Sequence, residues 1–494
     1  KKESAESDFI NRKTEMETNL KNLQHFVEGS VDRLLRLNLI TQNDFSTITG
    51  IHQEQDSVIG HSFIDQFKSN YIDAILYIQA YLHNKGVFYQ KDLLADFFAL
   101  LRTNDLIILA GDSGSGKTNL VKSFAEAIGG KAIVIPVKPN WTGSEDLLGY
   151  FNPLENRFLS TQFLEALIEA EKNPETPYLI CLDEMNLARV EYYFADFLSL
   201  LEERNKQPTI HLYSDAEASH TLVQVQTLLE LIKSVENEFN ITDIKSLADF
   251  LKHPEANEKL NKLCGFNDGE SLLKYHTQLK RILSTFINTP PSIKFPNNVR
   301  IIGAINVDET THFLSPKILD RAHIVRFSSP LLIDWQKIDS EIKIFELDIN
   351  MPLILNYKNL GERKPYPKFD RDDDLVKFLM QLTTDYLNPL GIEFGFRTVG
   401  QASEYASQLR IFKQNEDIIK NNFITHKILP KLVFDGGKKI NGVLKIDLLR
   451  QFRDFLFEQF AELFPKEVIT HCVKDLDRII HNAEANDLVV NYWL

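Results

Sequence analysis

The feature that most limits what this chain can fold into is Leu106-Ile107-Ile108-Leu109-Ala110 running directly into Gly111-Asp112-Ser113-Gly114-Ser115-Gly116-Lys117-Thr118. Five consecutive apolar residues suit a strand buried on both faces, which belongs in a parallel sheet rather than a half-solvated antiparallel one. The octapeptide fits G-x-x-x-x-G-K-[ST]. Its glycines let successive backbone N–H groups curl around phosphate oxygens at a helix start, Lys117 reaches the outer phosphates, and Thr118 coordinates Mg2+. A helical pattern over Thr118–Ile128 follows. Strand, glycine loop and helix in that order call for a parallel sheet covered by helices.

The alternation continues with strand patterns at Ala132–Val137, Tyr178–Asp183 and Val299–Asn306 and helical patterns at Thr161–Lys172 and Val190–Glu203. The expected fold class is α/β: a phosphate-loop core with a parallel sheet sandwiched by helices, plus a helical insertion and a C-terminal helical lid. Gly111, Asp183 and Asn306 then fall at the carboxyl ends of buried strands, the edge where open α/β sheets bind ligands. Apolar positions at helical spacing run from Glu15 to Ile40, and two more helical patterns lie between Phe63 and Leu101. Leu222, Val225, Leu228, Leu229, Ile232 and Val235 mark helix inside an interruption of the core. From Asp373 four helical stretches run to the end. We therefore expect an N-terminal helical segment at 1–65, a core at 66–330 with an insertion at 213–290, and a lid at 331–494.

Composition narrows the function classes. With 494 residues, 43% hydrophobic and 25% charged, the chain can bury a large core in more than one packed unit. A formal net charge of −14 gives no bulk attraction to a nucleic-acid backbone. Cys181, Cys264 and Cys472 are spaced too widely for a CxxC metal or redox pattern. No run approaches the roughly 20 apolar residues that span a bilayer, and the amino end has no apolar signal stretch. A cytoplasmic protein without a membrane partner is the expectation.

The second chemical element is Asp183-Glu184 at the end of an apolar strand. Phosphoryl transfer needs placement and charge neutralisation, so Asp183 suits the Mg2+ shell, and Glu184 suits orienting and deprotonating water. Such a pair is ordinarily a solvated turn; its place after the glycine loop reverses that reading. Asn306 ends another strand and offers an amide to the outer phosphate or the water. Arg321, after Ser315-Pro316-Lys317-Ile318-Leu319-Asp320, and Arg397, in Gly395-Phe396-Arg397-Thr398, complete the candidates, although either arginine would by default be a surface ion-pair partner.

These elements occur together and in order, and from about Tyr71 to the end the chain resembles the McrB-like branch of the AAA+ proteins. The resemblance rests on GDSGSGKT (111–118), PVKPNWTGSEDLLGYFNP (136–153), LICLDEMNLARVEYYF (179–194), IIGAINVDETTHFLSPKILDRA (301–322), FGFRT (394–398) and ILPKL (428–432). It implies Walker A residues Lys117 and Thr118, Walker B residues Asp183 and Glu184, a sensor-1 Asn306 and a sensor-2 Arg397 completing the site within the chain. It also implies an Arg321 finger offered to a neighbouring subunit in a ring, expected to be a hexamer. The expected activity is Mg2+-dependent hydrolysis of ATP or GTP by the motor subunit of a restriction or anti-phage defence system. A separate McrC-like nuclease would be its partner, and DNA would be reached through the complex. The family's best-known members follow the sensor residue with Thr-Ala-Asp-Arg, where this chain has Val307-Asp308-Glu309-Thr310, which leaves ATP and GTP both open. The competing readings are a MoxR-like or dynein-related remodelling chaperone and a nucleotide-gated scaffold.

Overall fold

Apolar runs become strands where both faces can be covered, and five of them here form one parallel sheet. They are β1 (Leu106–Gly111), β2 (Lys131–Pro136), β3 (Tyr178–Asp183), β4 (Val299–Asn306) and β5 (Ala322–Phe327), arranged in the order β5-β1-β4-β3-β2. The computed structural model describes residues 29–49, 58–152, 154, 157–213, 215–241, 253–263, 276–277, 279–281, 283–284, 287–307, 312–327, 335–463 and 471–493. Register fixes the functional edge: Gly111 pairs with Asn306 and with Phe327, and Asp183 with Pro136. The carboxyl ends of β1, β3 and β4 therefore meet along one side.

β5 is the strand that the apolar pattern misses. His323 and Arg326 interrupt it, yet His323 is fully buried with Nε2 3.4 Å from Asp105 Oδ2, and Arg326 Nη1 donates to the Tyr492 carbonyl at 3.3 Å. Tertiary partners make polar residues acceptable in a buried strand.

The helices α1 (Tyr71–Asn84), α2 (Lys91–Thr103), α3 (Lys117–Ala127), α4 (Gln162–Lys172) and α5 (Ala195–Glu202) accompany the sheet. Asn70 caps α1, its Oδ1 accepting from the Ile72 N–H at 3.1 Å. Phe97 and Phe98 on α2 meet Phe124 on α3 edge-on at 5.2 and 5.5 Å between ring centres, and all three are fully buried. Burying each ring contributes about 2 kcal/mol or more, enough to seat α3 and the loop before it. The single helix expected over Val190–Glu203 breaks at Phe194, which stacks on Phe197 at 5.4 Å.

After residue 331 come α6 (Asp374–Leu382), α7 (Phe396–Ile411), α8 (Glu416–Phe423), α9 (Lys445–Gln459) and α10 (Cys472–Ala485), with Val433–Asp435 and Val489–Asn491 paired antiparallel. Two compact units result, one from the described residues of 1–57, 148–161 and 209–294, the other from those of 58–147, 162–208 and 295–494. The residues expected as a separate lid thus share a unit with the sheet. Buried polar links account for this. Arg300 on β4, 3% exposed, donates to the carbonyls of Leu101 at 2.6 Å, Leu360 at 3.0 Å and Gly361 at 2.5 Å. Asp96 on α2 accepts from Tyr405 Oη on α7 at 2.5 Å and lies 3.0 Å from His426 Nε2.

The first unit holds helices Val31–Arg36, Gln42–Thr49, Asp215–Glu238 and Pro254–Leu263, which share a core that includes Leu34, Leu39, Ile40, Ile232 and Leu260. It also takes in the hairpin Gly149–Asn152 with Arg157–Ser160, outside the expected insertion. The helical pattern expected from Glu15 lies outside the described residues as far as 28, and so do Asp308, Glu309 and Thr310. Among the described residues no helix is long and apolar enough to cross a membrane.

Candidate active site

The loop leaving β1 owes its shape to two left-handed glycines, Gly114 at φ +79° and Gly116 at φ +92°. A side chain at either would cost about 1–2 kcal/mol of backbone strain. Gly116 stands immediately before α3, so the loop wraps against the amino end of an 11-residue helix, where N–H groups and the helix dipole favour anions.

Lys117 in the first turn of α3 sends Nζ back over the loop, donating to the carbonyls of Gly111 at 2.8 Å and Asp112 at 2.7 Å, to Ser115 Oγ at 3.3 Å and to Asn306 Oδ1 at 3.1 Å. Burial pulls its pKa below the usual lysine value, against the pull of Asp112, Asp183 and Glu184. One residue on, Thr118 Oγ1 donates to Asp183 Oδ1 at 2.8 Å. Asn306 Nδ2 stands 3.4 Å from Glu184 Oε1, so the carboxamide spans from the ammonium to the carboxylate. The structure therefore brings Lys117, Thr118, Asp183, Glu184 and Asn306 into one cluster along the sheet edge that carries Gly111 to Gly116.

Three features here were not legible from motifs. Glu184 adopts φ +53°, the left-handed region that a non-glycine residue enters at a cost and that concentrates at functional sites. Asn186, buried, donates from Nδ2 to the Asn306 carbonyl at 2.9 Å, tying the end of β4 to the turn after β3. Tyr89, before α2, donates from Oη to the Gly116 carbonyl at 3.0 Å, and burial pushes its hydroxyl up to about 12. Asn186 stands inside the LDEMNLARV motif, but its bond to the end of β4, like that of Tyr89 to Gly116, is made only by the fold.

The two arginines sit elsewhere. Arg321 immediately precedes β5, and Ala322 pairs with Leu106 at the start of β1, five residue steps and roughly 16 Å from the edge where Phe327 meets Gly111. Arg321 Nη2 pairs with Glu202 at the end of α5, and Arg397 Nη2 lies 3.0 Å from the same Glu202 Oε1. Arg321 Nε is buried without a hydrogen-bond partner. Both guanidiniums face a cavity of about 250 Å3 that Tyr366 and Gln401 also line. The structure places Arg397 beside Arg321 rather than in the cluster around Lys117, because α7 packs against α2 and its amino end reaches Glu202.

The clustered groups suit a nucleoside triphosphate with Mg2+. Thr118 Oγ1 and Asp183 Oδ1, 2.8 Å apart, are the hard oxygen donors that cation prefers, and the glycine turns leave room for phosphate where side chains would intrude.

Residues 106–238 match a family described as an AAA domain of the dynein-related subfamily. The chain carries an AAA+ domain. Residues 349–488 match a domain of unknown function, DUF8727. No curated protein matches the chain. Among solved structures it is similar to a protein of Cytophaga hutchinsonii provisionally described as an ATPase, at 14% identity over 73% of this chain and 89% of the other, with a TM-score of 0.38. It is also similar to a chain of the HORMA–CdnC–Trip13 complex of E. coli MS115-1, at 15% identity over 71% and 88%, with a TM-score of 0.17. The matched residues contain β1, β2 and β3 with Lys117, Thr118, Asp183 and Glu184, in keeping with a nucleotide-binding, ATPase-type site, while β4, with Asn306, and β5 lie beyond them.

Proposed function

We propose that this AAA+ chain hydrolyses a nucleoside triphosphate at the Lys117, Thr118, Asp183, Glu184 and Asn306 cluster and that Arg321 and Arg397 serve the nucleotide of a neighbouring copy in a ring, with a hexamer as the expected size. One observation carries the reading: both arginines lie at the opposite end of β1 from the glycine loop of their own chain, held together on Glu202. A guanidinium that cannot serve its own site can serve the next one, where it neutralises transition-state charge.

Within each site the loop from Gly111 to Gly116 cradles the phosphates, and Lys117 turns its ammonium from the loop carbonyls to the outer phosphate oxygens. Thr118 and Asp183 would hold Mg2+, which supplies charge neutralisation at the phosphates when bound. Glu184 takes the proton of the attacking water, and Asn306 fixes the water and the carboxylate relative to Lys117. For the work done, the McrB-like motifs WTGSEDLLGY and LDEMNLARV support the motor of a modification-dependent restriction system with a separate nuclease. The match to the dynein-related AAA domain supports a protein-remodelling motor as the second reading.

The test is turnover with ATP and with GTP, each with and without duplex DNA, for the wild type and Lys117→Ala. Nucleotide affinity of the variant should fall at least tenfold by calorimetry; unchanged affinity would remove the loop from the site. DNA-stimulated turnover favours the restriction reading, and DNA-indifferent turnover favours remodelling.

A further inference from the structure

Arg321 sits in a turn of two residues, Asp320 and Arg321, between the short helix Pro316–Leu319 and β5. Its own local hydrogen bonding is slight: the Arg321 N–H donates to the Ile318 carbonyl at 2.9 Å, and Nη1 to the Lys317 carbonyl at 2.8 Å. What fixes the turn comes from the C-terminal helices. Lys427 Nζ donates to the carbonyls of Leu319 at 3.1 Å, Asp320 at 3.0 Å and Ala322 at 2.8 Å. The remaining carbonyl, that of Arg321, accepts from Gln401 Nε2 at 3.3 Å. Lys431 Nζ lies 2.5 Å from Asp320 Oδ1. Four consecutive carbonyls and one side chain are thus gripped by three residues from a different part of the chain.

We propose that Lys427, Gln401 and Lys431 form a positioning clamp that sets where Arg321 points, and that this is a function of the segment matching the family of unknown function. The clamp rests on the reading that Arg321 acts on a neighbouring nucleotide.

The chemistry argues for a dedicated device. Lys427 is 1% exposed, and burying an ammonium costs several kcal/mol that an apolar side chain would not incur. An ammonium carries three N–H donors, and here all three have carbonyl acceptors on the Arg321 turn. The backbone is shaped to deliver it: Ile424–Ile428 is a wide π turn, a local irregularity enriched at functional sites, and Leu429–Lys431 tightens into a 3-10 turn through Pro430. Thr398 to Gln401 continue the helix that opens with Phe396-Arg397, so Gln401 lies one turn beyond Arg397, on the same face of α7. One helix therefore holds the Arg321 carbonyl and carries the second arginine, and a shift of α7 would move both together. The motif ILPKL, with Lys431 as its lysine, acquires a physical role by this account.

Lys427→Met keeps the length of the stem and removes the donors. The expected result is turnover reduced about tenfold or more, as for a catalytic group displaced by about an ångström, with calorimetric affinity for a non-hydrolysable nucleotide changed less than about threefold. Mixed with Glu184→Gln subunits, which carry intact fingers, Lys427→Met subunits should recover turnover, as should Arg321→Ala subunits in the same mixture. Lys431→Met, at the rim of the clamp, should show a smaller loss with the same recovery, and it decides the matter if Lys427→Met does not fold. The clamp is overturned if both lysine variants turn over at the wild-type rate while Arg321→Ala does not, or if their losses persist in a mixture that rescues Arg321→Ala. If Arg321→Ala is itself never rescued, the trans reading fails and the clamp falls with it.

Discussion

At the scale of single residues, Asp105 and His323 show how a charge is kept inside the sheet. Burial opposes the charge of Asp105, but Arg204 at 2.5 Å, His323 and the Tyr366 hydroxyl at 2.5 Å outweigh it and hold its carboxyl well below the usual range. Burial pushes His323 down to about 4, which keeps it neutral near pH 7. The folded-state value lies below the unfolded value of about 6.5, so on acidification the unfolded chain takes the proton first, and stability is lost as pH falls from 6.5 toward 4. Between pH 7 and pH 5 this amounts to roughly 2 kcal/mol. Urea midpoints at the two pH values should separate less in His323→Phe than in the wild type; equal separations would mean that His323 does not titrate this way. Sequence legibility at this scale followed locality. The glycine loop is legible because its chemistry is contained in eight consecutive residues, whereas Glu202, Asn186 and Lys427 gain their roles only from what the fold brings to them.

At the scale of elements, four of the five sheet strands are readable because apolar residues dominate them, with Arg300 near the start of β4, whereas β5 is broken by His323 and Arg326, whose partners are Asp105, just before β1, and the Tyr492 carbonyl. Close approach is another thing that a sequence hides. Gly303 in β4 faces Met185, and a Cβ built there falls 2.3 Å from Met185 Sδ. Met185 is fully buried and has little space to swing into. Gly303→Ala should therefore cost about 1–3 kcal/mol in urea unfolding. Because Met185 adjoins Glu184, the variant should also lose hydrolysis more than nucleotide affinity. A variant that is stable and fully active would show that this contact relaxes freely.

At the scale of the whole molecule, the sequence pattern separates a sheet from a set of later helices, but the structure joins them through Arg300, Asp96 and Lys427. Those joints are single polar side chains far apart in sequence, and no periodicity announces them. If the active unit is a ring, turnover per chain should rise with protein concentration and level off. Glu184→Gln with ATP and Mg2+ should hold the large species in sedimentation when the wild type relaxes to smaller ones. Turnover independent of concentration down to a sedimenting monomer would place a complete site in one chain.

Under the proposed ring, Glu202 would give assembly a particular thermodynamic form. One carboxylate accompanies two guanidiniums, so the arginines of a free chain are not waiting in water for an anion; they already have one. If the arginines serve a neighbour as proposed, delivery would be an exchange reaction, in which incoming phosphate must outcompete an internal carboxylate, and only the difference between the two anions would be available to hold the ring. When phosphate leaves, the same carboxylate would recover the arginines, and each subunit would carry its own means of letting go.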